Sequence, residues 1–172
     1  MTRAAYRASQ FLHAVLDRPT PGDGDLIRAH LPAPLQALFA RLGPAEQAHA
    51  VAVLRTLQRQ GHSDPALLAA ALVHDIGKTR APLRLMDRVL VVLADLFISR
   101  AARRWSQGTA VGWRRPFVVA AQHAAWGEVM LLQAGASPAL AELVRRHHDS
   151  LLVPSTPIDH LLAALQAADG GH

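Results

Sequence analysis

Leu72-Val73-His74-Asp75-Ile76-Gly77-Lys78 places an imidazole beside a carboxylate at the end of an apolar run, then a glycine, then a lysine. Ala69, Ala70 and Ala71 lead into it and offer no polar side-chain partner. Burying an unpaired polar group is costly, so the His-Asp pair requires a partner, and a divalent metal would satisfy both groups at once. Lys78 is the single lysine of the chain; the other seventeen basic residues are arginines.

The 172 residues suffice for one domain with one core. Apolar content is mainly Ala, Leu and Val, a mix that favours helices over sheets. No cysteine is present, so disulfides and thiolate metal sites are excluded and any metal must take nitrogen and oxygen ligands. A cytoplasmic setting is expected. Met1 to Val15 is amphipathic, with Arg3 and Arg7, and does not read as a signal peptide. The longest apolar run, from Val89 to Ile98, is interrupted by Asp95 and is too short to span a bilayer. It reads as a buried helix or a subunit contact, so a homodimer is one expectation. The net charge of +5 follows from general arginine usage, and no basic stretch interleaved with aromatics marks a nucleic-acid surface.

Proline and glycine punctuate the chain in the manner of helix termini, with proline at a first helical position and glycine beyond an end. Pro44 opens a segment that stops at Gly61, Pro65 one that ends at Gly77, and Pro116 one that runs to Gly135. Ser137-Pro138 and Thr156-Pro157 open two more. Apolar residues recur at three- and four-residue spacing, as in Val51, Leu54, Leu57 and Leu140, Leu143, Val144. The pattern predicts an all-α bundle of about seven or eight helices, over roughly 3–16, 34–42, 45–60, 65–76, 82–104, 116–134, 138–148 and 157–168. Loops are expected over 18–25 and 105–115. The whole chain, 1–172, reads as one domain, with a core over about 44–169 and a helical N-terminal extension over 1–43.

Other histidines and one aspartate fall in small apolar surroundings. His49 lies among Ala45, Ala48, Ala52 and Val53, and His123 among Val118, Val119, Ala120, Ala121, Ala124 and Ala125. His147 and His148 end the segment opened by Pro138, and Asp169 closes the last. One histidine on an apolar face is more often a core or surface residue than a ligand, and His13, His30, His62, His160 and His172 are read that way. The first group stands out as a joint pattern.

That pattern resembles the HD-domain (HDIG-type) superfamily of metal-dependent phosphohydrolases over about residues 44 to 169. The resemblance implies an HD-domain helical bundle and a first ion held by His49, His74, Asp75 and Asp169. His123, His147 and His148 match, in order, the added histidines of the dinuclear HD phosphodiesterases. They imply a second ion, with Asp75 shared between the two. The Gly-Tyr-Pro extension of the cyclic-di-GMP branch does not follow His147-His148-Asp149, so that substrate does not carry over. The implied cofactors are two divalent ions such as Fe, Mn or Zn, about 4 Å apart. The implied activity is hydrolysis of a small phosphoester, a nucleotide or a relative, by a metal-activated water, with no nucleic-acid or membrane partner. Asp75 and Lys78 are the candidate catalytic residues. Lys78, Arg114 and Arg115 are the candidate substrate contacts, since guanidinium and ammonium groups suit phosphate oxygens. Arg100, Arg103 and Arg104 flank the same 105–115 segment, and Glu128 is a possible partner of the ligands. Two other readings remain open: a mixed-valent di-iron oxygenase of the HD fold, and a non-catalytic nucleotide-sensing HD module.

Overall fold

The computed structural model describes residues 22–82 and 105–170. The helices expected over 3–16 and, but for its first residue, 82–104 lie outside those residues. The described residues form seven α-helices and two short 3-10 segments, with no strand. We number the helices α1 Asp23–His30, α2 Ala33–Phe39, α3 Pro44–Arg59, α4 Pro65–Val73, α5 Arg115–Gln133, α6 Pro138–Arg146 and α7 Pro157–Asp169. The 3-10 segments are Ile76–Arg80 and Gly112–Arg114.

The expected start signals are those the chain uses. The Asp64 carboxylate accepts from the Leu67 N–H at 2.9 Å and the Ser137 hydroxyl from the Leu140 N–H at 3.2 Å. Thr156 and Asp159 cap α7 reciprocally. These bonds satisfy N–H groups that a helix start leaves without intrahelical partners. At the other ends, Gly61 and Gly135 take φ of +85° and +82°, a conformation that suits glycine. Each closes its helix with a paired return: His62 N–H to Leu57 O at 3.0 Å after α3, and Ala136 N–H to Leu131 O at 2.9 Å after α5.

Helix α4 is the central element. Every residue from Leu67 to Val73 is buried, as befits a helix that is apolar on all sides. Helices α1, α2, α3, α6 and α7 pack around it, and α5 lies against α6 and against the segment Ile76–Arg80. Leu31, Leu35, Phe39 and Leu42 join the same core as Leu54, Leu72, Leu143 and Leu165.

The helices expected over 34–42 and 138–148 end early, at Phe39 and Arg146, and two larger differences bear on the frame and the site. The loop read over 18–25 is helical from Asp23. Its proline and glycine content hid a segment with Asp23 and Asp25 in the first turn and Arg28 and His30 in the last, a charge order that complements the helix dipole. Asp23 is buried and paired with Arg55 of α3 at 2.7 Å, which ties α1 to the bundle. The helix expected over 65–76 ends at Val73, and the chain tightens through Asp75 (φ −95°, ψ 5°) into the 3-10 segment. That turn sets the direction of the Asp75 carboxylate. The 105–115 segment is irregular apart from helical Trp105, its 3-10 turn and the first residue of α5.

Because Asp64 caps the central helix, Asp64→Ala is expected to lower stability by about 1 kcal/mol, read as a lower denaturant midpoint at unchanged slope. An unchanged midpoint would show that the cap contributes nothing.

Candidate metal centre

Four helices and the turn after α4 bring the histidines and aspartates into two adjoining groups. Asp75, His123, His147 and His148 offer ligand atoms that all lie within 4.8 Å of one another, and so do His49, His74 and Asp169. His49 projects from α3, His123 from the middle of α5, His147 and His148 from the end of α6, and Asp169 from the end of α7.

Local backbone geometry decides which nitrogen each ring presents. His74 Nδ1 lies 3.0 Å from Ala71 O, and His123 Nδ1 lies 3.0 Å from both Val119 O and Ala120 O. His147 Nδ1 lies 2.6 Å from Val144 O. A carbonyl only accepts, so each Nδ1 carries the proton and each Nε2 turns a lone pair inward. His123 Nε2 then stands 3.3 Å from His147 Nε2 and 3.2 Å from His148 Nε2. Two such neutral rings cannot hydrogen-bond to each other through Nε2. Protonating one to relieve the contact is opposed at His147, where burial and the neighbouring His74 and His148 rings push the pKa down to about 3. Convergent lone pairs without a proton between them suit a cation.

Asp75 supplies the negative charge. Its Oδ1 lies 3.4 Å from His123 Nε2 and 3.8 Å from His147 Nε2, while its Oδ2 lies 3.7 Å from His74 Nε2 and 2.5 Å from Lys78 Nζ. One carboxylate oxygen thus faces each group. Burial pushes the Asp75 pKa up, but its charged surroundings, the Lys78 ammonium first, outweigh it and hold the carboxyl well below its usual range. In the other group, Asp169 Oδ1 lies 2.8 Å from His49 Nε2 and 3.5 Å from His74 Nε2. Partial burial raises the Asp169 pKa, yet the His49 hydrogen bond outweighs it and brings it to about 2.

Donor type and spacing both fit divalent ions. Ligands about 2.1 Å from a tetrahedral or octahedral ion lie roughly 3 to 3.5 Å from one another, close to the separations within each group. Imidazole and carboxylate suit Fe, Mn or Zn. The side-chain contacts also orient the ligands, as metal sites require.

All seven residues expected to bind metal from the sequence meet here, and Lys78 lies against Asp75. Of the residues expected to contact substrate, Arg114 donates to Trp105 O and Gln107 O, and Arg115 to Pro82 O. Glu128 pairs with Arg145 across α5 and α6 at 3.6 Å. Sequence reasoning missed Gln166, whose side-chain amide donates to the carbonyls of His147 and Asp149 at 3.2 and 2.8 Å. It ties the histidine pair to the helix that carries Asp169, and only its place one turn before Asp169 could have signalled this. Arg146, beside His147, also went unremarked; it holds Asp159 at 2.7 Å and Glu142 at 3.1 Å, fixing the end of α6 against the start of α7.

The described residues are helical throughout their regular elements and gather two adjoining His/Asp groups that could each hold a metal ion. The family model for the HD domain matches residues 47–170, and the chain belongs to the HD domain family. Neither the curated proteins nor the solved structures gave a match to it.

The His147 geometry carries a pH prediction. Its folded pKa is below the unfolded value, so the unfolded state binds more protons and stability rises with pH. The metal-free protein is therefore expected to lose stability as pH falls from about 6.5 towards 3, by up to about 1.4 kcal/mol per pH unit for this group. In chelator-treated samples, thermal melts of His147→Gln should show a flatter pH dependence across that window than the wild type. Equal slopes would contradict a neutral, buried His147.

Proposed function

We propose that this chain is a metal-dependent phosphoester hydrolase acting on a nucleotide or another small phosphorylated molecule, with a two-ion centre. His49, His74, Asp75 and Asp169 would hold one ion, and Asp75, His123, His147 and His148 the other. The observation that carries this reading is the direction of the Asp75 carboxylate, with one oxygen towards each group of donors. Bound there, the ions would supply Lewis acidity towards a phosphoryl oxygen and a water activated near neutral pH.

The chain's own residues do the rest. Backbone carbonyls fix the tautomer and tilt of His74, His123 and His147, so no reorientation is needed on loading. Asp75 stays ionised across the physiological range, which a shared ligand must do. Lys78 is about one-third exposed and reaches Asp75 from the solvent side, so its ammonium can turn to a phosphoryl oxygen. His49 and Asp169 are half-buried and His148 is exposed, which leaves an approach for a small substrate along that rim. The complete donor set favours catalysis over a purely nucleotide-sensing module.

The test is a panel of mono-, di- and cyclic nucleotides and simple phosphoesters, assayed for phosphate or nucleotide release with Mn²⁺, Fe²⁺ or Zn²⁺. Hydrolysis abolished by chelator is expected, and Asp75→Ala should lower kcat/KM by about three orders of magnitude or more, roughly 4 kcal/mol of transition-state stabilisation. Lys78→Ala should lower kcat/KM about 10- to 100-fold while metal content stays that of the wild type. A metal-loaded, folded protein that turns over none of the panel overturns the hydrolase reading. Oxygen consumption by the iron-loaded protein, without hydrolysis, would install the di-iron oxygenase in its place.

A further inference from the structure

Gly77 and Gly127 mark the place where the turn after α4 meets α5. A Cβ on Gly77 would lie 1.8 Å from His123 O, 2.7 Å from His123 C and 2.8 Å from Gly127 N. No side chain fits there; the two backbones would have to part by more than an ångström. A Cβ on Gly127 would meet Val144 Cγ1 at 3.0 Å, with Gly77 N and Ile76 Cγ2 at 3.5 Å. Gly127 is buried in the interior of the nineteen-residue helix α5, where glycine is a poorer helix former than any residue but proline. Its presence there has a packing reason. The turn and α5 form the most extensive element contact of the described chain, and Arg80 adds a cation–π contact to Trp126 with its guanidinium 5.3 Å from the ring centroid.

The residue that Gly77 touches is His123 itself, and Gly77 is two positions after Asp75. The interval between the Asp75 carboxylate and His123 Nε2, 3.4 Å, is therefore set by a backbone-to-backbone contact that only glycine permits. Gly127 completes it from one turn further along α5, where Val144 of α6 presses on the same point. Val144 O is also the acceptor that orients His147. Three of the four donors of one group, on three separate elements, thus take their spacing from one contact. The group of His49, His74 and Asp169 does not involve α5 or α6.

We propose that Gly77 and Gly127 are positioning residues that hold Asp75 and His123 at ion-sharing distance, and that Gly127, from the α5 side, sets the ion bound by His123, His147 and His148 without displacing His49, His74 or Asp169. This rests on the two-ion reading above. Ligand spacing at a metal admits errors of only a few tenths of an ångström, and the contact at Gly127 is of that order.

Gly127→Ala is the graded probe, since alanine favours the helix and adds one methyl group at the 3.0 Å contact. Gly77→Ala is too severe for this purpose. In calorimetric Zn²⁺ titrations the wild type is expected to take two equivalents. Gly127→Ala should keep one at wild-type affinity and bind the other at least tenfold more weakly, and Gly127→Ala with Val144→Ala should regain the second. Val144→Ile, which crowds the same glycine from α6, is the second probe and should weaken the second equivalent alone; circular dichroism confirms that each variant is folded. Two equivalents at wild-type affinity in Gly127→Ala overturn the proposal alone, as does a folded double variant that does not regain the second ion. A wild type that takes fewer than two overturns the two-ion reading and this proposal together.

Discussion

The structure is organised around a buried negative charge. A carboxylate taken out of water destabilises a fold unless its charge is matched and its lone pairs are occupied. Asp75 is only 8 % exposed and sits where the most apolar helix of the bundle ends. An ammonium and three imidazoles surround it within 4 Å. Breaking α4 at Val73 and tightening the chain through a 3-10 segment puts one oxygen towards each set of donors, which a continued helix would not do.

Around that charge, the fold supplies rigidity by cheap means. Histidine at a helix end or interior can donate its Nδ1 proton to a carbonyl three or four residues back, and three of the five histidines in the two groups do so. The same bond keeps the ring neutral and aims its other nitrogen. Helix ends are secured in turn: Gln166 ties the end of α6 to α7, and Arg146 locks onto Asp159, whose carboxyl the Thr156 hydrogen bond and the Arg146 guanidinium hold below its usual range. Close glycine packing then sets how far α5 stands from the turn. Orientation comes from hydrogen bonds and spacing from van der Waals contact, two independent controls on one site.

Much of this was legible in the sequence because it is encoded locally. Cap residues followed by proline, and glycine after an apolar run, mark the starts of α3, α4, α6 and α7 and the ends of α3 and α5. The His74-Asp75 doublet, His49, the later histidines and Asp169 stood out as polar residues in small apolar runs. Helix α1 was hidden, because Pro19, Pro21, Gly22 and Gly24 speak for a loop while the stabilising contact, Asp23 with Arg55, is distant in sequence. The early end of α4 was hidden for a related reason: Ile76 and Gly77 continue a helical pattern, and only packing against α5 selects the tighter turn. Gln166 acts through the His147 and Asp149 carbonyls just beyond α6, and Gly127 through Val144 and the Gly77 backbone, partners distant in sequence that no local pattern reveals. Arg114 and Arg115 have the chemistry of phosphate ligands, and their contacts to backbone carbonyls follow from how the 105–115 segment folds back.

The central claim, that one buried carboxylate organises a two-ion centre, is tested most directly by anomalous X-ray diffraction from crystals grown with Mn²⁺ or Zn²⁺. The account predicts two anomalous peaks about 4 Å apart, one among His49, His74 and Asp169 and one among His123, His147 and His148, with Asp75 between them. No peak within this cluster, or ions bound only elsewhere on the chain, would contradict it.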